Sequence, residues 1–586
     1  IAFGRLLWYG SRCSIAHPEL EKQTPEATKK SSVFQPVYPS TEKLVNRSIS
    51  NRTIRQIMQH LFDELRLGVR ETLSDKIRSD HGLIGATEAL SAIHFPKDLQ
   101  QLEKAQKRLR FEELFFIQLQ LLQKKLEQRK QFKGHLFDKV GDFFNSFYSN
   151  HLPFSLTDAQ KRVIKEIRSD FASGAQMNRL LQGDVGSGKT IVAFLSALIA
   201  LDNQMQVTIV APTEILAQQH YQTLSQLSAP LNLSIKLLTG STKTAERKDI
   251  HAKLQSGELQ LLVGTHAVLE PNVHFQNLGF AIIDEQHKFG VAQRAKLWKK
   301  NLIPPHILVM TATPIPRTLA MTLYGDLESS IIDELPPGRK PITTAQRTDK
   351  NRLAVNQFMK SEIEKGRQVY VVYPLIEESS SMDYKDLMDG FESISRDFPK
   401  PKYQVSIVHG RMKSEDKALE MERFSNGKTQ IMVATTVIEV GVNIPNASVM
   451  VIESAERFGL SQLHQLRGRI GRGADKSYCI LMTGNKLSNE AKTRIQAMVR
   501  TQDGFELAEV DLKLRGPGDL MGTQQSGILQ MRIANLSRDA QVILQARNVA
   551  IDLLEDDPTL AKVENKSISD TLQMLQSGRG IWKYIS

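Results

Sequence analysis

From Leu156 onward the apolar residues gather into short uninterrupted runs separated by longer amphipathic stretches. The first runs are "RLLQ" (Arg179–Gln182), "VTIVAP" (Val207–Pro212), "LQLLVGT" (Leu259–Thr265), "FAIIDE" (Phe280–Glu285) and "HILVMTAT" (His306–Thr313). "ELPPGRKP" (Glu334–Pro341) interrupts the series as a linker does. It then resumes with "VYVVYP" (Val369–Pro374), "VSIVHG" (Val405–Gly410), "IMVATTV" (Ile431–Val437), "SVMVIESA" (Ser448–Ala455) and "YCILMTG" (Tyr478–Gly484). Fully apolar strands alternating with helices predict parallel sheets covered on both faces, and the linker makes them two α/β units in tandem. No short-period repeat stands out.

The flanks differ. Pro18, Pro25, Pro36 and Pro39 break up residues 1–44, where "GRLLWYG" (Gly4–Gly10) reads as one strand. From about Glu42 to Lys139 the pattern is helical: Leu99, Leu102, Ala105 and Leu109 share a face, and Glu113–Lys130 continues as a long helix whose lysines read as a solvated face. Near the other end, "FELAEVDLKL" (Phe505–Leu514) predicts a helix leading into "LRGPGDLMGTQQSG" (Leu514–Gly527). The resulting division is 1–44, 45–150, 151–337, 338–485 and 486–586.

Composition narrows the chemistry. A chain of 586 residues is expected to hold about three to five domains. At 41% hydrophobic and 24% charged, it is an ordinary globular protein. The net charge of +12 fits a polyanionic partner, and equally a basic protein without one. Cys13 and Cys479 are the only cysteines, too few for a four-cysteine zinc site and consistent with a reducing compartment. The longest mainly apolar run, Ile191–Leu201, is about half of the roughly 20 residues a bilayer span needs, so no membrane association is expected. The chain begins at Ile1 and is expected to be a piece of a longer product.

"GDVGSGKT" (Gly183–Thr190) follows an apolar strand and opens a helix, the context a phosphate loop requires. Gly183, Gly186, Ser187 and Gly188 would offer backbone N–H groups to phosphates, Lys189 would reach the β- and γ-phosphates, and Thr190 would hold Mg²⁺. "IIDEQH" (Ile282–His287) ends a buried strand with Asp284, a second Mg²⁺ holder, and Glu285, which would polarise the attacking water. "MTATPIPRT" (Met310–Thr318) sets Thr311 and Thr313 at another strand end, read as a relay or as a plain strand-to-helix turn. "QLRGRIGR" (Gln465–Arg472) spaces Arg467, Arg469 and Arg472 on the second α/β unit; arginine aimed at a γ-phosphate makes hydrolysis depend on closure of the two units. Arg469 and Arg472 are the catalytic candidates.

With "LTDAQ" (Leu156–Gln160), "APTEILAQQH" (Ala211–His220), "GTHAVL" (Gly264–Leu269) and "ATTVIEVGVNIP" (Ala434–Pro445), these segments fall in the order seen in superfamily 2 helicases, which the chain resembles. "LSAIHFP" (Leu90–Pro96), "RLRFEELFFIQLQLL" (Arg108–Leu122), "FGVAQR" (Phe289–Arg294) and "ELPPGRKPI" (Glu334–Ile342) resemble the RecG family of ATP-dependent DNA translocases. The resemblance implies two RecA-like lobes (151–337 and 338–485), a helical region (45–150), the end of an OB-fold wedge (1–44) and a C-terminal helical-hairpin coupling segment (486–586). It implies ATP and Mg²⁺ as cofactors, and branched DNA (forks and Holliday junctions) as partner, with single-strand DNA-binding protein as a further candidate. A cytoplasmic, nucleoid-associated monomer is expected. By the same resemblance Gln160 would read adenine, Thr213, Thr265, Thr435 and His409 would meet one nucleic-acid strand, and Arg515 and Gln525 would couple ATP turnover to duplex movement.

Three departures from the family pattern are Lys288, where arginine is usual, Gln524, where arginine or lysine is common, and the short front. A wedge barrel needs on the order of 70–100 residues, so fork splitting is expected to be weak without the remainder. The rivals are a transcription-repair coupling factor-like translocase, an RNA helicase of the superfamily, and a junction-binding protein with a decayed motor. A zinc-bearing restart helicase is excluded by the cysteine count.

Overall fold

The computed structural model describes residues 2–3, 6–9, 12–15, 19–20, 36–39, 41–47, 49–64, 68–131, 133–285, 297, 300–301, 303–312, 314–316, 319–320, 327–336, 340–374, 380–435, 444–471, 473, 476–519 and 531–577. The chain divides into two compact units, one from residues 1–120 and 529–583, the other from 121–528.

In the first unit β1 (Ala2–Phe3) pairs antiparallel with β4 (Glu19–Leu20), and β2 (Leu6–Tyr9) with β3 (Arg12–Ile15). The expected strand at "GRLLWYG" is β2. The Pro-rich segment after them docks on the helices: Tyr38 hydroxyl and His94 Nδ1 are 2.9 Å apart, and Asn51 accepts from the Tyr38 amide. Helices follow at Asn51–Glu64, Asp75–His81, Ala86–His94 and Leu99–Gln131. Arg108 is fully buried among them, donating to Glu71, Glu112, Thr72 and the Ile84 carbonyl. That position lies one residue before Leu109 on the stripe read as apolar; a guanidinium tolerates such burial only when its donors are matched by acceptors, as here.

The last 50 or so described residues, the later part of the segment read as 486–586, pack in this same unit. Glu113 explains the return: its carboxylate accepts the backbone N–H groups of Arg532, Ile533 and Ala534. Arg547 donates to Gln118, and Arg70 pairs with Asp570, so the helices Ala540–Asp556 and Lys566–Ser577 are tied back as well.

The second unit holds two sheets, each parallel throughout. Lobe 1 comprises β5 (Asn178–Gly183), β6 (Gln206–Val210), β7 (Ile235–Leu238), β8 (Leu261–Gly264), β9 (Leu278–Ile283), β10 (His306–Thr311) and β11 (Glu328–Ile332), in the order β11-β5-β10-β9-β6-β8-β7. Lobe 2 comprises β12 (Ile342–Thr348), β13 (Gln368–Val372), β14 (Val405–Val408), β15 (Ile431–Ala434), β16 (Ala447–Ile452) and β17 (Ser477–Thr483), in the order β12-β17-β16-β13-β15-β14. Every strand expected from an apolar run is present. The strands not expected, β7, β11 and β12, stand at sheet edges, where one side meets solvent and no continuous apolar run is needed. Ile191–Leu201 is buried along its whole length in the helix Lys189–Asp202, which accounts for its apolar character without a membrane. Among the described residues no helix is long and apolar enough to cross a bilayer.

The two lobes repeat each other in detail. The Thr265 amide donates to the Leu238 carbonyl and the Thr435 amide to the Val408 carbonyl; both members of the second pair lie 170 positions after the first (435 against 265, 408 against 238). Gln206 Nε2 donates to the carbonyls of Leu254 and Leu259, and Gln368 Nε2 to those of Phe424 and Thr429; these acceptors again lie 170 apart, while the glutamines lie 162 apart (368 against 206). The Asp284 amide donates to Val210 as the Glu453 amide does to Val372, so Glu453 follows β16 as Asp284 follows β9. Lys189 and Arg352 each begin the helix after the first strand that their lobe shares with the other. In lobe 2 those two positions hold each other: Arg352 makes a two-pronged ion pair with Glu453, at 2.6 and 2.9 Å.

Candidate nucleotide site and nucleic-acid track

The turn after β5 must approach the first turn of the next helix closely, and two glycines make that possible. Gly186 and Gly188 adopt φ of 82° and 88°, a region that L side chains rarely enter. Any Cβ at Gly188 would also strike Gln160 Nε2, 2.2 Å away. Gln160, expected to read adenine, is fully buried; its amide donates to the Ser187 carbonyl (2.8 Å) and accepts from Thr157 N, so in this arrangement it shapes the loop. The Ser187 hydroxyl is buried without a partner among the described residues. Lys189 Nζ donates to the carbonyls of Gly183 and Asp184, at 2.7 and 2.9 Å.

A cleft of 360 Å³ opens from this loop, lined by Lys189, Thr190, His220, Asp284, Glu285 and Arg469 among others. That volume lies within the range of small-molecule sites. Its two acids differ. Burial would raise the Asp284 carboxyl, but the hydrogen bond from His220 Nε2 (2.7 Å), with the charges of His220 and Lys189, holds it below the ordinary range. Glu285 is pushed up, first by burial and then by the neighbouring Asp284 charge, against the pull of Lys189 and Arg469. Glu285 also sits at φ 50°, strained for a residue with a side chain, which turns its carboxylate back towards the Ala312 amide after β10. Glu285 thereby touches the segment that follows Thr311.

Arg469 alone of the three arginines reaches the cleft among the described residues; Arg472 and Thr313 lie outside those residues. Arg467, the motif arginine not counted among the catalytic candidates, points elsewhere. It is the last residue of the helix Leu460–Arg467, and its guanidinium donates to the carbonyls of Met498, Thr501 and Gln502, groups left open by the end of the helix Asn489–Arg500. The lobes meet without side-chain padding here: a Cβ on Gly468 would lie 2.7 Å from Val185 Cβ.

The expected track residues stand at strand ends. Thr213 caps the helix Glu214–Ser228, accepting from Leu216 N. Thr265 and Thr435 follow β8 and β15, with buried hydroxyls that have no partner among the described residues. His409 follows β14, and burial together with Lys417 and Arg411 lowers its pKa. Arg515 lies in the helix Gly504–Asp519, which extends past the predicted Phe505–Leu514 through Gly516, Pro517 and Gly518. Proline's fixed φ is helical, but it has no N–H to give the helix, which ends two residues later at Asp519. Gln524, Gln525 and Lys288 lie outside the described residues. Sequence reasoning missed His220, Asp184 and His464; the one available signal was the histidine closing "APTEILAQQH".

Two parallel-sheet lobes with a phosphate loop and paired acids on one and an arginine from the other in the same cleft define a helicase motor. Family models agree: DEAD/DEAH box helicase over residues 157–322, helicase conserved C-terminal domain over 350–474, and domain 3, C-terminal, of ATP-dependent DNA helicase RecG over 501–586. A Synechocystis protein named ATP-dependent DNA helicase RecG is 49% identical over 525 residues, covering 90% of this chain and 62% of its own length. A Streptococcus pneumoniae protein of the same name is 44% identical, covering 90% and 78%. A solved structure described as RecG bound to a three-way DNA junction matches with TM-score 0.68 and 38% identity, over 92% of this chain and 70% of that one. The chain belongs to the RecG family of ATP-dependent DNA helicases, and spans about three-fifths to four-fifths of the length of these relatives.

Proposed function

We propose that this chain is an ATP-driven translocase on double-stranded DNA that remodels branched DNA, regressing stalled forks and migrating Holliday junctions. The observation that carries the reading is the shared cleft, in which Arg469 of lobe 2 lines the same space as Lys189 and Glu285 of lobe 1. The relative solved on a three-way junction supports the choice of substrate. Work on DNA in the bacterial cytoplasm, as a monomer, follows from the same reading.

The residues divide the labour. Amides of the loop and of the first turn of the helix Lys189–Asp202 would bind phosphate, and Lys189 would release the loop carbonyls to do the same. ATP supplies the phosphoryl group, and Mg²⁺ would offset its charge. No group of three or more His, Cys, Asp or Glu among the described residues is placed to hold a metal ion by itself, so that cation would take ligands from Thr190, from nucleotide oxygens and from water held by Asp284. Asp284, kept ionised by His220, suits that task. Glu285, with its raised proton affinity, suits that of orienting and deprotonating water. Arg469 would stabilise charge on the transferring group only when the lobes are apposed, which ties turnover to lobe movement.

On the track side, the exposed turns Ser241–Lys243 and Arg411–Lys413 each lead into a helix N-terminus, at matched positions on the two lobes. Phosphates at such points would be gripped without regard to base sequence. Thr213, Thr265, Thr311, Thr435 and His409 complete the two grips, with Arg515 and Gln525 coupling them to the duplex.

Lys189→Ala is expected to lower DNA-stimulated ATP turnover by at least about a hundredfold, the scale of losing a phosphate clamp. Turnover retained in a folded variant sinks the assignment of the site. Branched-DNA remodelling is tested separately, by unwinding of three-way junctions against linear duplex. Equal handling of the two rules it out.

A further inference from the structure

Asp184 stands inside the phosphate loop but faces away from the cleft. Its Oδ1 lies 2.7 Å from His464 Nε2, and its Oδ2 accepts the Gly504 amide at 3.3 Å. His464 belongs to the lobe 2 helix Leu460–Arg467, which ends two residues before Arg469. Gly504 is the first residue of the helix Gly504–Asp519, which runs towards the segment read above as the coupling loop.

Three features make this a built junction and not a passing contact. The first is a polarised chain. Arg467 Nη2 can only donate to His464 Nδ1 (3.1 Å), so Nε2 carries the imidazole proton and gives it to Asp184. The second is fit: a Cβ on Gly504 would lie 2.1 Å from Asp184 Oδ1, 2.6 Å from His464 Nε2 and 2.6 Å from Pro314 Cγ. Glycine at 504 therefore lets the helix start against the phosphate loop, the helix Leu460–Arg467 and the strand end after β10 at once. The third is that the start of the helix is itself pinned. Asp503 accepts from the Phe505 amide, Arg467 holds the carbonyls of Thr501 and Gln502, and the Gln502 side chain bridges the amide and carbonyl of Ile342 in β12. An anion at a helix N-terminus is also favoured by the helix dipole.

We propose that Asp184, His464 and Gly504 form a positioning node through which the phosphate loop directly holds the start of the coupling helix. A change of loop shape on nucleotide turnover then reaches that helix without passing through the DNA-gripping turns. Lys189 gives the loop a reason to change, since it bonds the carbonyl of Asp184 itself. None of the three residues touches the cleft, so their role is to position and not to react. The inference rests on the coupling role proposed for the segment after residue 504.

The test is displacement of a third strand from duplex DNA per ATP hydrolysed, using this chain, with Arg515→Ala as the coupling control. Gly504→Ala wedges the node and His464→Leu removes its donor; each is expected to lower strands displaced per ATP on the order of tenfold, the scale of one charge-assisted hydrogen bond. His464→Gln, which keeps an N–H, is expected to recover most of the yield. That recovery is what a merely space-filling role for His464 does not predict. If Gly504→Ala does not fold, as judged by its melting temperature, His464→Leu against His464→Gln decides. Wild-type yield in the folded node variants, with Arg515→Ala uncoupled, overturns the node and leaves the coupling reading standing. Wild-type yield in Arg515→Ala as well removes the coupling reading, and the node with it.

Discussion

Glu285 combines a strained backbone with a raised carboxyl pKa, and both follow from one placement. A carboxyl whose pKa is higher folded than unfolded destabilises the fold above the unfolded value, because the folded state resists losing the proton. Glu285→Gln is therefore expected to raise the melting temperature at neutral pH and to lose that advantage below about pH 4, where the wild-type group is protonated in both states. An unchanged melting temperature at pH 7 contradicts the raised value. Thr435 offers a second residue-level prediction. Removing a buried hydroxyl that has no partner is near neutral, so Thr435→Val should leave stability within about 1 kcal/mol while weakening DNA binding if that hydroxyl turns to a phosphate. Normal DNA affinity in a binding titration removes Thr435 from the track. Lys189, Thr190, Asp284 and Glu285 were legible because their meaning is carried by neighbours in sequence. His220 and His464 were not, because their partners lie 64 and 280 residues away.

Among the elements, β10 begins on a buried histidine that must stay neutral. His306 Nδ1 accepts the Met177 amide (2.9 Å) and Nε2 donates to the His135 carbonyl (2.7 Å), while burial pushes its pKa down to about 4. A histidine lowered by folding is protonated in the unfolded chain first, so stability is lost as pH falls from about 6.5 towards 4. His306→Gln is expected to flatten the melting temperature over that window, at a cost of about 1–3 kcal/mol near neutrality for the lost acceptor. An identical pH slope in the variant discounts His306. The apolar runs that named the inner strands were reliable because both faces of those strands are covered. Edge strands such as "ITTAQRT" (Ile342–Thr348) carry no such mark. The helix Gly504–Asp519 reaches five residues beyond the predicted Phe505–Leu514, into a Gly- and Pro-bearing stretch with no helical pattern of its own.

At the scale of the molecule, the tandem motor could be read from motif order, but the return of residues 531–577 to the N-terminal unit could not. It depends on Glu113, one carboxylate on a helix read only for its apolar face, meeting three amides some 420 positions later. The likeness of the lobes carries a last consequence, in the arithmetic of fuel. Where lobe 1 leaves Lys189 and Asp284 for a nucleotide, lobe 2 has filled the corresponding place with its own cation and anion, Arg352 and Glu453. Such a lobe, like a socket with its plug cast in, would sense ATP only from across the gap. Calorimetric titration with a non-hydrolysable nucleotide should give one bound molecule per chain, and a stoichiometry of two would mean that the ion pair yields.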